Sequence, residues 1–261
     1  MIKIISLFLI TLVTGCASPT PHRLWGASSI AEYPSSIVLF KTKPKGKVIS
    51  GVYTADVRNM ILIKERVENA AGSIRSTLLI EDSGEPNGFS FIMHGQPMIA
   101  VNVGMINLLG NDSDAMAALF GHELAHLYLE HGNQRQKRNE NSMMASIALS
   151  FTLGLAGIPA PAEVTDVATS AISNVYTRDE ERDADWFGVG FITQAGFDAW
   201  GAVRLQEKLR DVSKNSPIPF MSSHPGSDER IKNMKQMALE QKSDPNEPPM
   251  NSRKTNLAPP E

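Results

Sequence analysis

The stretch "FGHELAHLYLEHG", residues 120–132, has the apolar spacing of a buried helix but also carries His122, Glu123 and His126. Residues four apart lie on one face of a helix, so the two imidazoles point to the same place. Glu123 is turned by about 100° from His122, which brings its carboxylate beside that place. This is the H-E-x-x-H arrangement, which supplies two zinc ligands and a general base.

A surface helix with incidental histidines is the alternative to a metal site. It is disfavoured because Ala118, Leu119 and Leu124 give this helix the composition of a buried element. Inside a protein, unpaired histidines and a glutamate would be costly. The pattern therefore predicts a metal site, with the two histidines as ligands and Glu123 beside them as general base.

The ends of this helix are indicated by its flanking residues. Asn111, Asp112 and Ser113 are candidates for the N-cap. At the other end we predict that the helix continues through His131 and stops at Gly132. His131 would then lie about half a turn away from the ligand face. We interpret it as a cation at the C-terminal end of the helix, where the helix dipole favours positive charge.

A catalytic zinc site needs a third protein ligand and an open position for water. The segment "RDEERDADWFG", residues 178–188, offers Glu181 and Asp185, which lie four apart on one helical face. One carboxylate can bind the metal while the other accepts the free N–H of a ligand histidine. The alternative is a solvated acidic face, which we expect for Glu180 and Asp183.

The rest of the chain predicts an α+β fold that is mostly helical, with a small β-sheet. Residues 54–72 space their apolar side chains as an amphipathic helix does. Three short β-type runs follow, at residues 76–82, 88–93 and 96–104. The apolar run from 143 to 159 is marginal for a membrane span, and we expect a buried or membrane-touching helix there. This run could also cover the active-site cleft and keep the protein latent.

The N-terminus reads as a secretory signal. Lys3 precedes an apolar run that ends at Gly15, and Cys16 is the only cysteine. Residues 13–16, Val-Thr-Gly-Cys, look like a bacterial lipobox, which implies lipidation of Cys16 and anchoring to a membrane. The residues after the cysteine resemble those of lipoproteins sent to the outer membrane, facing the periplasm. An ordinary signal peptide with an incidental cysteine is the alternative.

Composition supports the following division of the chain. Residues 1–15 form a signal peptide, 16–36 a lipidated N-terminus and tether, 37–242 a single catalytic domain and 243–261 a disordered tail. The formal net charge of -3 gives no sign of the basic surface that nucleic-acid binding requires. We therefore expect no nucleic-acid partner.

The segments "HELAH", "RDEERDADWFG" and "SSHPGSDERI" appear in the order found in a known family. The sequence resembles the gluzincin metallopeptidases of the HtpX, Oma and CAAX-prenyl-protease-like family (metallopeptidase family forty-eight), over roughly residues 54–239. The resemblance implies a zincin-type catalytic domain with an HExxH active-site helix and one Zn²⁺ per chain.

Residue by residue, the resemblance places the zinc ligands at His122, His126 and Glu181, and the general base at Glu123. Asp185 matches the aspartate that supports a ligand histidine. His224 matches a histidine that contacts the substrate or the transition-state oxyanion, so it is counted with Glu123 among the catalytic residues; without the resemblance it would be taken for a loop residue.

The resemblance is to small lipoprotein members, because the many membrane helices and the tetratricopeptide repeats of other members are missing from the sequence. It implies a zinc-dependent endopeptidase anchored in the bacterial envelope. We expect it to hydrolyse unfolded or misfolded envelope proteins, and envelope proteins could also be its partners. The alternative is a latent or non-proteolytic zinc lipoprotein that serves as a chaperone or assembly scaffold. An enzyme for lipid or prenyl substrates would need more intramembrane helices.

Overall fold

The computed structural model describes residues 23–41, 48–72, 74–138, 175–226 and 228–243. The predicted signal peptide, Cys16, the apolar run 143–159 and residues 244–261 of the predicted tail lie outside these ranges. Within them, no helix is long and apolar enough to cross a membrane.

Helices dominate the described residues and strands form a smaller part, which confirms the predicted α+β class. In chain order the elements are β1 (Leu24–Gly26), α1 (Ala27–Ala31), β2 (Ile37–Lys41), β3 (Val48–Tyr53), α2 (Thr54–Ala71), β4 (Thr77–Glu81), β5 (Gly88–Met93), β6 (Gln96–Asn102), α3 (Val103–Leu109), α4 (Ser113–Tyr128), α5 (Arg178–Gln194), α6 (Trp200–Ser213), α7 (Pro219–Ser223) and α8 (Asp228–Ser243). Residues 131–138 are also helical.

The main sheet has four strands in the order β1-β4-β6-β5. β4 and β6 are parallel, whereas β1 and β5 pair antiparallel with their neighbours. The three strands β4, β5 and β6 coincide with the three predicted runs. β5 lies at one edge of the sheet, while β2 and β3 form a separate two-stranded pair.

The folded part of the chain begins earlier than the predicted tether allows. β1 lies inside the predicted tether, 16–36, yet it pairs with β4, with Trp25 opposite Ile80. Ala27 and Ile30 of α1 are buried in the main core. Because the region is rich in Ser, Pro and Ala on average, its composition did not indicate the few apolar residues that anchor it to the core. The tether prediction is therefore wrong from residue 24 onward.

Helix α4 lies at the centre of the core. It packs against α2, α5, α6 and the edge strand β5. Every residue from Ala115 to His126 is buried, so α4 has no solvent-facing side over three turns. Polar side chains in this part of the helix are removed from water and must find partners within the protein.

Two glycines bring α4 and α5 into backbone contact. A Cβ atom added to Gly121 would lie 2.7 Å from the carbonyl oxygen of Gly188. A Cβ added to Gly188 would lie 2.9 Å from the backbone nitrogen of His122. Only residues without a side chain permit this approach, and the crossing point lies directly beside the first histidine of the HExxH segment.

The ends of α4 agree only partly with the sequence prediction. Asp112 is the N-cap, and its side chain accepts a hydrogen bond from the backbone N–H of Ala115 at 3.1 Å. The predicted continuation to His131 is wrong, because the helix ends at Tyr128. Glu130 has a φ of 53°, a left-handed conformation that ends the helix before Gly132. The chain then turns, and a new helical segment begins at His131.

Candidate metal centre

Four buried side chains from three parts of the fold meet at one point. α4 contributes His122 and His126, α5 contributes Glu181, and the C-cap of α7 contributes His224. Each offers one ligand atom, and these four atoms lie within 4.8 Å of one another. The structure thus brings together the three residues predicted as ligands and, beside them, His224, which was predicted as a catalytic residue.

The distances between the donor atoms are those of a group built around a cation. His122 Nε2 lies 3.1 Å from His126 Nε2 and 3.2 Å from His224 Nδ1. Glu181 Oε1 lies 2.9 Å from His224 Nδ1 and 3.4 Å from His126 Nε2. Lone pairs on converging nitrogens repel unless a proton or a metal ion lies between them. Nitrogen and carboxylate oxygen donors in this number fit zinc.

The pKa shifts of His126 and Glu181 favour metal binding. For His122, burial lowers the pKa, but the carboxylates of Glu181 and Asp185 outweigh burial and raise the pKa above its usual value. Burial, together with the charges on His122 and His224, lowers the pKa of His126 well below its usual range, so His126 is neutral at pH 7. Burial alone would raise the pKa of Glu181, but His224 and His122 hold it well below its usual range. Neutral imidazole and ionised carboxylate are the forms that bind metals.

Asp185 lies beside the first histidine. Its Oδ1 atom lies 3.1 Å from His122 Nδ1, within hydrogen-bonding distance. When Nδ1 carries the proton, Nε2 is left free to bind a metal. This contact is the one that the spacing of Glu181 and Asp185 predicts. The side chain of Arg230 donates two hydrogen bonds of 2.7 Å to the carboxylate of Asp185.

His131 lies against the second histidine, and the sequence did not reveal this contact. Its Nδ1 atom lies 3.0 Å from His126 Nδ1, and the side chain is buried. Burial lowers the pKa of His131 to about 4, so the predicted role as a cation is wrong. A neutral His131 can accept the N–H of His126 and leave Nε2 of His126 to the metal. The turn at Glu130 makes this contact possible, and helical spacing could not have found it.

Glu123 lies beside the donor group and makes no hydrogen bond. It is fully buried, and neither carboxylate oxygen has a hydrogen-bond partner within the described part of the chain. His224 is an ionisable neighbour in the site, and its Nε2 lies 3.4 Å from Glu123 Oε1. Leaving a buried carboxylate unpaired is costly, and such groups in native proteins commonly have a catalytic role.

Aromatic side chains close the sides of the centre. Tyr176 stacks on His126 with ring centroids 3.8 Å apart, and Phe220 stacks on His224 at 4.5 Å. Neither contact was predicted: Tyr176 and His126 lie in segments far apart in sequence, and Phe220 and His224 lie in a segment that spacing alone would assign to a loop. The apolar faces keep water from the ring edges and limit the rotations of the two imidazoles.

Glu180, which precedes the predicted ligand, is not on a solvated face. It is buried, forms a capping box with Thr177 at the start of α5, and pairs with Arg138 through both carboxylate oxygens. The prediction of solvent exposure for Glu180 is therefore wrong. These contacts anchor the start of α5.

Comparison with known proteins agrees with this geometry. The sequence pattern described as Peptidase family M48 matches residues 59–238. The chain belongs to Peptidase family M48. Both histidines of α4, Glu181 and His224 fall inside the matched region. The metal of this family is zinc, which the donor set fits.

Three relatives illustrate the range of the family. The chain is 30% identical over 137 residues to Metalloprotease YcaL of Escherichia coli (strain K12), covering 52% of this chain and 53% of YcaL. It is 29% identical over 150 residues to a putative beta-barrel assembly-enhancing protease of Vibrio cholerae, covering 54% of this chain and 30% of the relative. For the Beta-barrel assembly-enhancing protease of Yersinia pestis the identity is 22% over 186 residues, covering 67% and 37%. The chain thus spans about half of the first relative and about a third of the other two.

Proposed function

We propose that this protein is a zinc-dependent endopeptidase, with His122, His126 and Glu181 as the zinc ligands and Glu123 as the general base. The observation that carries the proposal is the position of Glu123, a buried carboxylate without a hydrogen bond beside a group of metal donors. A carboxylate in this place can take a proton from a molecule bound at the metal. Membership of Peptidase family M48 supports the same chemistry.

A bound zinc ion would acidify a water molecule and polarise the scissile carbonyl. Glu123 receives the proton of the attacking water and then gives it to the leaving amine. His224 Nε2, 3.4 Å from Glu123 Oε1, lies where it could donate a hydrogen bond to an oxygen on the reacting carbon. Asp185 and His131 keep the two ligand histidines in the tautomers that the site needs.

The edge strand β5 is the proposed binding site for an extended substrate. Tyr176 shows how close the strand is to the metal centre, because its ring stacks on His126 and its hydroxyl hydrogen-bonds to Ser90 of β5. A peptide that adds to this edge would be held through its backbone. Recognition of backbone rather than side chains suits unfolded or misfolded proteins. We propose these as the substrates.

We further propose that the protein acts in the bacterial envelope, anchored through lipid at Cys16 to the outer membrane and facing the periplasm. The lipobox-like sequence supports this location, and two relatives carry the name beta-barrel assembly-enhancing protease. A Cys16→Ser variant should lose its fractionation with membranes. Retention of the variant in the outer membrane would contradict the anchor.

A second candidate is a latent or non-proteolytic zinc protein that acts as a chaperone or assembly scaffold. The position of His224 favours it, since Nδ1 is as close to the other donors as they are to one another. A catalytic zinc site keeps one position for water, whereas a structural site is closed by four protein ligands. In the conformation described, His224 stands where that water would bind, so catalysis requires His224 to release this position.

The test is cleavage of unfolded casein by the Glu123→Gln variant, with zinc content measured on the same sample. Glutamine fills the same volume but cannot accept the proton, so we expect full zinc occupancy and a loss of cleavage of at least about 100-fold. Equal cleavage by wild type and variant would contradict the role of Glu123. Zinc without any cleavage by the wild type would favour the scaffold.

A further inference from the structure

Arg230 of α8 is a buried cation that joins three parts of the metal centre. Its Nε and Nη2 atoms donate to the two oxygens of Asp185, each at 2.7 Å. Its Nη1 atom lies 2.5 Å from Glu181 Oε2 and donates to the carbonyl oxygen of Pro225 at 2.9 Å. Pro225 directly follows His224. One guanidinium therefore contacts the proposed zinc ligand Glu181, the carboxylate of Asp185 beside the ligand His122, and the segment that carries His224.

We propose that Arg230 is the positioning residue that makes Glu181 a one-oxygen ligand and fixes the charge of the centre. The inference rests on the proposed metal site. A carboxylate can bind zinc through one oxygen or two. Oε2 lies 3.5 Å from His122 Nε2 but only 2.5 Å from Arg230 Nη1. Oε1, in contrast, lies 2.9 Å from His224 Nδ1 and 3.4 Å from His126 Nε2. Because Arg230 holds Oε2, Oε1 is the oxygen left to bind the metal, and the remaining coordination position stays available for water or for His224.

Charge balance gives a separate reason for the cation. Glu123, Glu181 and Asp185 are three buried carboxylates within one cluster. The two positive charges of a zinc ion leave one negative charge without compensation, and Arg230 supplies the missing positive charge. Isolated charges are expensive to bury, so a cluster that sums to zero is strongly preferred.

The geometry of arginine matters as well as its charge. The guanidinium is planar and offers five N–H donors in a fixed fork, which allows it to serve Asp185 with one edge and Glu181 with another. A lysine ammonium keeps the charge but cannot span both carboxylates in this arrangement. Replacement by lysine therefore separates the charge of Arg230 from its positioning role.

The test compares Arg230→Lys and Arg230→Gln with the wild type in two measurements that do not depend on peptidase activity. The first is zinc affinity by competition with a chelator. The second is the visible absorption of the Co²⁺-substituted protein, which reports coordination number and geometry. Arg204→Lys is the control, because Arg204 also donates to both oxygens of an aspartate, Asp112, at 2.8 and 2.9 Å and away from the metal centre.

We expect Arg230→Lys to bind zinc about 10- to 100-fold more weakly and Arg230→Gln more weakly still. The Co²⁺ spectrum of both variants should shift toward five-coordinate geometry as Glu181 turns to bind through both oxygens. Arg204→Lys should match the wild type in both measurements. Wild-type affinity and an unchanged spectrum in Arg230→Lys would overturn the proposal.

A crystal structure of the zinc-loaded wild type tests the same inference if the variants fail to fold. The proposal predicts that Glu181 binds through Oε1 while Oε2 remains on Arg230, and binding through both oxygens would overturn it. A wild type without zinc would refute the proposed function together with this inference. Zinc binding with a two-oxygen Glu181 would refute the inference alone.

Discussion

Replacement of Gly121 by alanine should damage the metal centre without touching any of its side chains. The added Cβ would lie 2.7 Å from the carbonyl oxygen of Gly188, and ordinary van der Waals contact begins at 3.4 Å. The atom on the other side is backbone, so it cannot turn away as a flexible side chain would. Helices α4 and α5 must separate by about 0.7 Å, which is the difference between these distances.

The separation acts on both stability and metal binding. Overpacking of this kind costs about 1–3 kcal/mol, and alanine regains about 1 kcal/mol through its higher helix propensity. The expected net loss is up to about 2 kcal/mol. Metal-ligand distances tolerate shifts of only about 0.2 Å, while His122 and Glu181 lie on opposite sides of the separation. We therefore expect zinc affinity to fall at least about tenfold.

Gly132→Ala is the control, because a Cβ at Gly132 would meet nothing within 4 Å. It should leave zinc affinity unchanged and stabilise the fold by up to about 1 kcal/mol. Urea unfolding gives the free energies of unfolding, and chelator competition gives the zinc affinities. If Gly121→Ala gained stability as Gly132→Ala does and bound zinc like the wild type, the close crossing of α4 and α5 would not be what positions the ligands.

Three further changes have defined outcomes. Asp112→Ala removes the N-cap of α4 and the pair with Arg204, so the free energy of unfolding should fall by at least about 1 kcal/mol. An unchanged free energy of unfolding in a denaturant titration would contradict this prediction. His131 has a folded pKa of about 4, below its usual 6.5, so the stability it contributes is complete above pH 6.5 and is lost as the pH falls toward 4. Thermal unfolding of His131→Gln should therefore vary less between pH 7 and pH 4.5 than that of the wild type, and an equal pH dependence would refute this cause. Removal of zinc with a chelator should lower the melting temperature of the wild type but not that of Glu181→Ala. Equal shifts in the two melting temperatures would show that the metal binds elsewhere.

The sequence predicted those parts of the site that depend on spacing within one helix. His122, Glu123 and His126 are arranged by α4 alone, and Glu181 and Asp185 by α5 alone. Helical periodicity is local, so both sets could be inferred before the fold was known. The same holds for β4, β5 and β6, whose apolar runs are bounded by turn residues.

What the sequence did not predict depends on turns and on contacts between distant segments. His131 contacts His126 because the helix ends at Tyr128 and the chain changes direction at Glu130. Arg230 contacts Asp185 across 45 residues of sequence. No local pattern distinguishes such an arginine from one on a solvated helix face.

The resemblance to a known family supplied what spacing could not. On sequence alone His224 would be a loop residue, yet the side chain is fully buried and contacts the ligand group. Glu180 was expected on a solvated face, yet it is buried against Thr177 and Arg138. The spacing of Thr177 and Glu180 is that of a capping box, but the contact with Arg138 has no local signal. Tertiary contacts determine where His224 lies, whereas Glu180 is held both by the local capping box with Thr177 and by the distant Arg138.

Zinc content per folded chain is the most direct test of the metal centre. Mass spectrometry should find one zinc in the purified wild type, one in Glu180→Gln and far less than one in Glu181→Gln. Glu180 is the matched control because it is a buried neighbour on the same helix that pairs with Arg138 and lies outside the donor group. Absence of zinc from the wild type, or full occupancy in Glu181→Gln, would contradict the proposed centre.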